Sequence, residues 1–285
     1  MKTYLECYPC FLRQALDAAE FAHASDAEKT SVVQATLALL QTLDPQATPP
    51  EIGDEIHRLV RATIRHEDPY GELKQAATEA ALQLLPWMRS HIAHAPDPFE
   101  RAVRIAIAGN IIDFGPSNQY DLEGSLAEVA QAPLAIDNLD TLRAALNKAS
   151  SLLFIGDNAG ETVFDRALVE ILDLPVMYAV KGGPVLNDAT LDDARMAGLD
   201  ACATLVSTGS DAPGTILSRT SADFRRQYET ASVIIAKGQA NYETLSPGDA
   251  RVFFLLKAKC PVIARDLGVA TGDLIVKQGS AQWVD

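Results

Sequence analysis

The chain of 285 residues has 38 acidic and 24 basic side chains, which gives a formal net charge of −14. This negative charge disfavours a nucleic-acid partner, because proteins that bind the phosphate backbone usually present a basic surface. Four cysteines are too few for a disulfide framework in a chain of this size, and no apolar run approaches the roughly 20 residues that span a bilayer. We therefore expect a cytoplasmic protein that binds neither nucleic acid nor membrane.

The first half of the chain predicts an α-helical domain. Between Ser25 and His94 the apolar residues recur at helical spacing, as in SVVQATLALLQTL and ELKQAATEAALQLLPWM. A transitional stretch follows up to Ser150, with a helical run in ERAVRIAIAGNIIDFG and a further helix near DTLRAALNKA. We place the domain boundary near residue 145, which predicts one domain over residues 1–145 and a second over 146–285.

The second half changes character at Ser151. Short apolar runs each end in glycine or polar residues, in SLLFIGDNAGE, LPVMYAVKGGP, ATLVSTGSDAPG, ASVIIAKGQAN and CPVIARD. Segments with helical character, such as ETVFDRALVEIL and GDARVFFLLKA, separate them. This alternation predicts an α/β domain with a parallel sheet of buried strands. Because open parallel sheets bind ligands at the carboxyl ends of their strands, we expect the function to lie in the loops that follow these runs.

The loop after SLLF has the strongest functional pattern. Asp157 and Asn158 are adjacent oxygen donors at the end of a strand and can reach one hard cation, while Gly156 allows the backbone to approach a ligand closely. Glu161, three residues further on, either starts the next helix or supports this site from behind. The alternative is an ordinary Asp-Asn turn that caps the helix, and the loop alone does not decide between the two.

Three further strand-end loops carry polar residues. Asp188 could join the cation site while Lys181 faces a phosphate group, although Asp188 could equally cap the following helix. Lys237 and Asn241 suit an anionic group, and their alternative is a solvated surface. The segment GSDAPGT, which contains Ser210 and Asp211, has the glycine spacing of a phosphate-binding loop but lacks its lysine, so it offers at most backbone amides, or is a plain turn.

Coincidence favours the functional interpretation of these loops. Four successive predicted strands end in polar, glycine-containing loops, and two of those loops carry lysines. Independent turns rarely agree in this way. The five histidines all lie in the helical half, so the strand ends are without imidazole, which favours a hard ion such as Mg²⁺ or Mn²⁺ over zinc.

The helical half holds less decisive candidates. Asn110 and Asp113 lie three residues apart on one face of an apolar helix, where polar groups need partners. The segment EDPYGELK could present Asp68, Tyr70 and Lys74 to a cleft. Helix capping and hydrogen bonds between domains explain both sets equally well.

Cys7 and Cys10 form a CxxC motif, which can bind metal or cycle between thiols and a disulfide. The sequence holds no second such pair that would complete a zinc site. Purely structural thiols remain the alternative.

Taken together, the motifs GDNAGE, the lysine loop ending in NDAT, and KGQANYETL resemble those of the DUF89 family of metal-dependent damage-control phosphatases. The amino-terminal CxxC, DPYGELK and AGNIIDFG are similar to those of its prokaryotic CxxC subgroup, and the resemblance extends over nearly the whole chain. It implies an α-helical domain packed on a Rossmann-like three-layer α/β/α domain.

The same resemblance implies roles for individual residues. Asp157, Asn158 and Asp188 would hold the metal, and Lys237 and Asn241 would bind the phosphate. Two residues of the other domain would line the pocket, namely Asn110 and Asp113.

The activity implied is hydrolysis of small phosphorylated metabolites, either sugar phosphates or damaged phosphometabolites, with Mn²⁺, Mg²⁺, Co²⁺ or Ni²⁺ as the cofactor. The ion would polarise the phosphoryl group, and Lys237 would offset the growing negative charge. The nucleophile stays open between an oriented water molecule and Asp157 itself. Two other functions remain as alternatives: an S-adenosylmethionine-dependent carboxyl methyltransferase and a non-catalytic metal- or anion-binding protein.

Overall fold

The computed structural model describes residues 1–44, 46–109, 124, 131–246 and 248–280. Within these ranges, five helices precede the first strand: α1 (Cys7–Phe21), α2 (Asp26–Leu40), α3 (Pro49–Ile64), α4 (Gly71–Ala93) and α5 (Pro98–Ala108). Their starts follow local rules. Ser25 caps α2 by accepting a hydrogen bond from the Glu28 amide, and Glu28 accepts one in return from the Ser25 amide.

The remaining elements alternate between strands and helices. The strands are β1 (Leu134–Asp137), β2 (Leu152–Ile155), β3 (Val176–Val180), β4 (Thr204–Ser207), β5 (Val233–Lys237), β6 (Val252–Lys257) and β7 (Leu274–Gln278). The helices are α6 (Leu139–Leu146), α7 (Glu161–Val169), α8 (Leu191–Met196), α9 (Ala222–Thr230), α10 (Gly238–Leu245) and α11 (Pro261–Leu267).

The seven strands form one sheet in the order β1-β7-β6-β5-β2-β3-β4. The five strands from β6 to β4 are parallel to their neighbours, whereas β7 runs antiparallel to β6 and carries β1 beside it. The chain proceeds from β2 towards β4 on one side and from β5 towards β6 on the other. The strand order therefore reverses between β2 and β5, which is where open α/β sheets bind their ligands.

Helices cover both faces of the sheet. Leu152 and Phe154 of β2 point into one apolar cluster, which also contains residues of α4, α5, α6 and α7. Leu153 and Ile155 point into a second cluster with residues of α9, α10 and α11. Because successive side chains of a strand face opposite ways, a sheet buried on both sides needs the continuous apolar runs seen in the sequence. The α/β fold with a mostly parallel sheet and an amino-terminal helical region is confirmed.

Two segments were assigned to the wrong element. GDARVFFLLKA was expected to be helical, but VFFLLK forms β6, because a short run that is apolar throughout suits a strand buried on both faces and has no helical period. CPVIARD was expected to be a strand but forms α11, where Pro261 takes the first helical position, at which a proline loses no hydrogen bond.

Helices α1, α2 and α3 have an apolar core of their own, and we call these three helices the cap. By contrast, α4 and α5 share the core of the sheet and pack against α7. Strand β1 also precedes residue 145 and pairs with β7. The division near residue 145 stays a prediction. No helix among the described residues is long and apolar enough to cross a membrane.

Candidate functional site

The loops after β2 and β3 are joined by backbone pairing. Asn158 and Asp188 form an isolated antiparallel bridge, and the Ala189 amide donates a hydrogen bond of 2.8 Å to the Asp157 carbonyl oxygen. Three side chains expected to hold a metal, those of Asp157, Asn158 and Asp188, are thus brought together from two different strand ends.

One carboxylate oxygen of Asp188, Oδ2, is buried and contacts a lysine. The residue is only 4% exposed, and Oδ2 accepts no hydrogen bond from the described part of the chain. The Lys181 ammonium forms an ion pair with this oxygen at 3.3 Å and also donates a hydrogen bond to the Gly214 carbonyl oxygen. Burial raises the pKa of Asp188 despite the opposing charge of Lys181. A buried carboxylate oxygen that accepts no hydrogen bond is suited to binding a cation.

Asp157 lies in a strongly acidic environment. Burial, followed by the neighbouring charges of Glu161 and Asp188, raises its pKa well above the usual range for a carboxyl group. Its carboxylate also sits directly over Gly238 at the start of α10, where φ is +77° and a Cβ atom would overlap the Asp157 carboxyl group. Carboxylates this close together repel one another when they are ionised, so a nearby cation is needed if all of them are to carry a negative charge.

The donor set fits a hard divalent ion. It offers two carboxylates and the carboxamide of Asn158, whose amide nitrogen donates to Glu161 Oε1 at 2.9 Å and so leaves its carbonyl oxygen as the atom suited to a cation. Oxygen donors of this type are preferred by Mg²⁺ and Mn²⁺. Among the residues that the structure describes, no three His, Cys, Asp or Glu side chains are arranged around a common metal position. The predicted ligand set contains only two side chains of these types, Asp157 and Asp188, because its third ligand is the amide of Asn158.

Lys237 ends β5 and is completely buried. Its ammonium lies 2.5 Å from Asp165 Oδ1 and 3.3 Å from Glu161 Oε2, and the Tyr178 hydroxyl donates to Asp165 Oδ2 at 2.7 Å. Burial by itself would lower the pKa of Lys237, but these carboxylates outweigh it and the pKa is raised. Burial raises the pKa of Asp165 to about 6. The lysine thus neutralises the carboxylates behind the site, and its direct contact with a phosphate stays a prediction.

Asn241 is buried and forms hydrogen bonds to the loop after β2 and to the end of β5. Its amide nitrogen donates to the carbonyl oxygens of Gly156 at 3.1 Å and Lys237 at 2.8 Å, and its side-chain oxygen accepts from the Thr215 hydroxyl at 2.7 Å. These bonds connect the loops after β2 and β5, the two strands between which the strand order reverses. The expected role of Asn241 as a phosphate ligand stays a prediction, as does that of Ser210, whose hydroxyl oxygen accepts from the Ala212 amide at 3.2 Å.

Asp211 was expected near a phosphate and lies beside arginines. Arg58 and Arg61 of α3 both pair with its carboxylate, the latter at 2.9 Å. Arg58 also bonds the buried Asp54 at 2.9 Å, and Arg219 pairs with Asp54 as well. This network ties the cap to the loop after β4. Sequence reasoning overlooked these arginines, which had no signal beyond their spacing on one helix face.

The motif EDPYGELK is divided between two environments. Lys74 is buried, with its ammonium 2.8 Å from Asp68 and 3.2 Å from Asp193. Lys74, Asp68 and Lys181 line a cavity of 560 Å³ between α4 and the loop after β3. Tyr70 instead packs against Phe21 in the cap, with ring centroids 5.0 Å apart. The other two candidates from the helical half, Asn110 and Asp113, lie outside the described residues.

Lys259 was also overlooked in the sequence. It is exposed in the loop after β6, and its charge acts to lower the pKa of Asp157, against the net rise. The reason for the omission is specific: VFFLLK was taken for a helix, so the residues after it were not examined as a strand end. With β6 beside β5, Lys259 stands at the same edge of the sheet as Lys237.

Comparison with known proteins identifies the family of the chain. Residues 3–275 match the model of the damage-control phosphatase ARMT1-like domain. The chain belongs to this family. Members named damage-control phosphatases include one from Pyrococcus horikoshii, 36% identical over 96% of this chain and 97% of that protein, and one from Archaeoglobus fulgidus, 37% identical over 79% and 81%.

An uncharacterized family relative from Methanocaldococcus jannaschii is 37% identical over 95% of this chain and 93% of its own length. A crystal structure described as a DUF89 family protein from P. horikoshii superimposes with a TM-score of 0.91 at 35% identity, over 98% of this chain and all of that one. The resemblance seen in the motifs is therefore confirmed at the level of the family and of the fold.

Proposed function

We propose that this protein is a divalent-metal-dependent phosphatase that hydrolyses phosphomonoesters of small metabolites, including damaged ones. The observation that carries the proposal is the buried Oδ2 atom of Asp188, whose contact is the ion pair with Lys181 and which the backbone bridge holds beside Asn158 and Asp157. Relatives named damage-control phosphatases support the reaction class.

In this proposal Asp157, Asn158 and Asp188 hold Mn²⁺, Mg²⁺, Co²⁺ or Ni²⁺. When bound, such an ion would act as a Lewis acid towards the phosphoryl group. The protein's own contribution is largely electrostatic. Lys237 neutralises Asp165 and Glu161, so that the strand ends are not so negative as to repel a phosphorylated substrate.

The experiment is phosphate release from a panel of sugar phosphates and other phosphomonoesters, with chelator-treated protein and each of the four ions in turn. Asp188→Asn removes one negative charge while keeping the side-chain shape, and Asp192→Asn is the matched control, since the side chain of Asp192 is 93% exposed. We expect ion-dependent turnover in the wild type and in Asp192→Asn, and its loss in Asp188→Asn.

Equal phosphate release from the chelated wild type would refute the dependence on metal. No release from any substrate with any ion, combined with methyl transfer from S-adenosylmethionine, would refute the reaction class.

A further inference from the structure

The site described above makes no use of the CxxC motif, which lies elsewhere in the fold. Cys7 and Cys10 occupy the first turn of α1, where Cys10 is exposed and Cys7 is half-buried. A third cysteine, Cys260, occupies the N-cap position of α11, where its thiol makes no capping hydrogen bond. Burial raises the pKa of the Cys7 and Cys10 thiols above the usual value, and the charge of Cys260 adds to the rise at both.

The contacts around these cysteines fix α1 against α10 and α11. Glu6, just before α1, pairs with Arg265 of α11 at 3.0 Å. The amino group of Met1 donates to the Glu243 carbonyl oxygen of α10 at 3.2 Å. The Gln239 amide bridges to Cys260 Sγ at 3.7 Å and to Glu243 Oε1 at 3.3 Å. The first turn of α1 is therefore held in place, not a loose terminus.

The geometry points to a specific chemistry for two of these thiols. We propose that Cys7 and Cys10 are a reversible oxidation site that forms an intramolecular disulfide with a small disulfide as oxidant. Residues three apart on a helix share one face, with Cβ atoms about 5–6 Å apart, whereas a disulfide needs roughly 3.5–4.5 Å. The pair must close by one to two ångströms.

The first turn of α1 can make that movement at low cost. The amides of Glu6, Cys7 and Tyr8 have no intrahelical acceptor four residues back and Pro9 has no amide hydrogen, so the regular helical bonds begin only at Cys10. The Cys7 and Tyr8 amides instead donate to carbonyls three residues back, at 3.0 Å to Tyr4 and 3.2 Å to Leu5. Such tight turns tolerate small changes in backbone angle.

Exposure sets the order of the reaction. The exposed Cys10, whose sulfur accepts a hydrogen bond from Gln14 at 3.3 Å, attacks a sulfur of the small disulfide as its thiolate. One small thiolate leaves and takes up the proton that Cys10 lost. The Cys7 thiol then loses its proton and attacks Cys10 Sγ, which releases the second small thiol. Two protein thiols are oxidised and one small disulfide is reduced.

The test uses the full-length protein under native conditions with oxidised glutathione, followed by acid quenching, alkylation and peptide mass analysis. We expect the Cys7–Cys10 peptide to lose the mass of two hydrogen atoms and to recover it with dithiothreitol. Cys260 and Cys202 should be alkylated. Cys202 serves as the internal control because it lies on a separate element, where its thiol donates to the Leu199 carbonyl oxygen.

Two variants separate the roles of the thiols. Cys7→Ser should stop at a stable glutathione adduct on Cys10, and Cys10→Ser should form an adduct at least tenfold more slowly, because only the half-buried thiol remains in the motif. Full alkylation of the native wild type after oxidation would overturn the proposal. So would a disulfide that includes Cys260, or thiols blocked by a bound metal ion that a mercurial reagent releases.

Discussion

Replacing Gly238 by alanine tests directly whether the Asp157 carboxylate is part of the working site. The added Cβ atom would overlap that carboxyl group, whose more distant oxygen, Oδ1, would lie only 2.9 Å from it. Because φ is +77°, an alanine here also has an unfavourable backbone. The chain offers a matched control at Gly268, where φ is +71° and nothing lies within 4 Å of an added Cβ.

Both substitutions place a side chain at a positive φ, but only one of them also creates a steric clash. Each should lower the free energy of unfolding by about 1–2 kcal/mol, which is the usual penalty for a side chain in a left-handed conformation. Only Gly238→Ala must also displace the Asp157 carboxylate. Non-bonded heavy atoms settle at about 3.5 Å, so the carboxyl group must move by about 1–2 Å. A displacement of that size can reduce the rate about 100-fold.

The assay compares both variants with the wild type in calorimetric titration with Mn²⁺ and in phosphate release. Both variants should melt below the wild type, and Gly238→Ala should melt lower than Gly268→Ala because it also crowds a buried carboxylate. Metal affinity and turnover should fall only in Gly238→Ala. If Gly238→Ala bound Mn²⁺ and turned over substrate within about twofold of Gly268→Ala, the placement of Asp157 in the metal site would be wrong.

Three further predictions concern buried charges. Asp188→Asn should raise the melting temperature of the metal-free protein, since burial disfavours the carboxylate, while lowering ion-dependent phosphate release at least about 100-fold. Lys237→Ala should lower the free energy of unfolding in urea by about 3–5 kcal/mol, and adding Asp165→Asn should restore part of it without restoring activity. Burial raises the pKa of Glu243 from 4.5 to about 7, so the folded protein holds a proton that the unfolded chain releases. This group should therefore lower the stability by roughly 3 kcal/mol as the pH rises through that window. Glu243→Gln should remove that part of the slope and leave the part due to Asp165, whereas the exposed Glu229→Gln should leave the slope unchanged.

Much of the fold was predictable because a strand that is buried on both faces appears in the sequence as a short, continuous apolar run. VMYAV coincides with β3, and the runs SLLF and SVIIA contain most of β2 and β5. These strands are central and covered on both faces, so their residues are apolar, apart from Lys237 at the end of β5. The antiparallel strand β7 and its neighbour β1 had no such mark, since β1 alternates between half-buried and exposed positions.

The candidate site was predictable at the level of loops and less so at the level of atoms. Glycine and polar residues at strand ends located Asp157, Asp188 and Lys237 correctly at one edge of the sheet. Spacing along the chain does not show which polar groups satisfy one another. The ion pair between Lys237 and Asp165 joins residues 72 positions apart, and the arginines that pair with Asp211 come from the cap, 150 and 153 positions away.

Because the backbone bridge joins Asn158 and Asp188, the entropic cost of bringing these two loops together arises when the chain folds. At the metal site that we propose, the bridge holds the two loops together without an ion, so an ion would bind ligands that are already confined. The cost appears in the metal-free protein, which must hold like-charged carboxylates together. Ligand binding then returns stability by mass action, about 2.7 kcal/mol at an ion concentration one hundred times the dissociation constant. In a cell, the supply of the ion would therefore influence how long this protein survives as well as how fast it works.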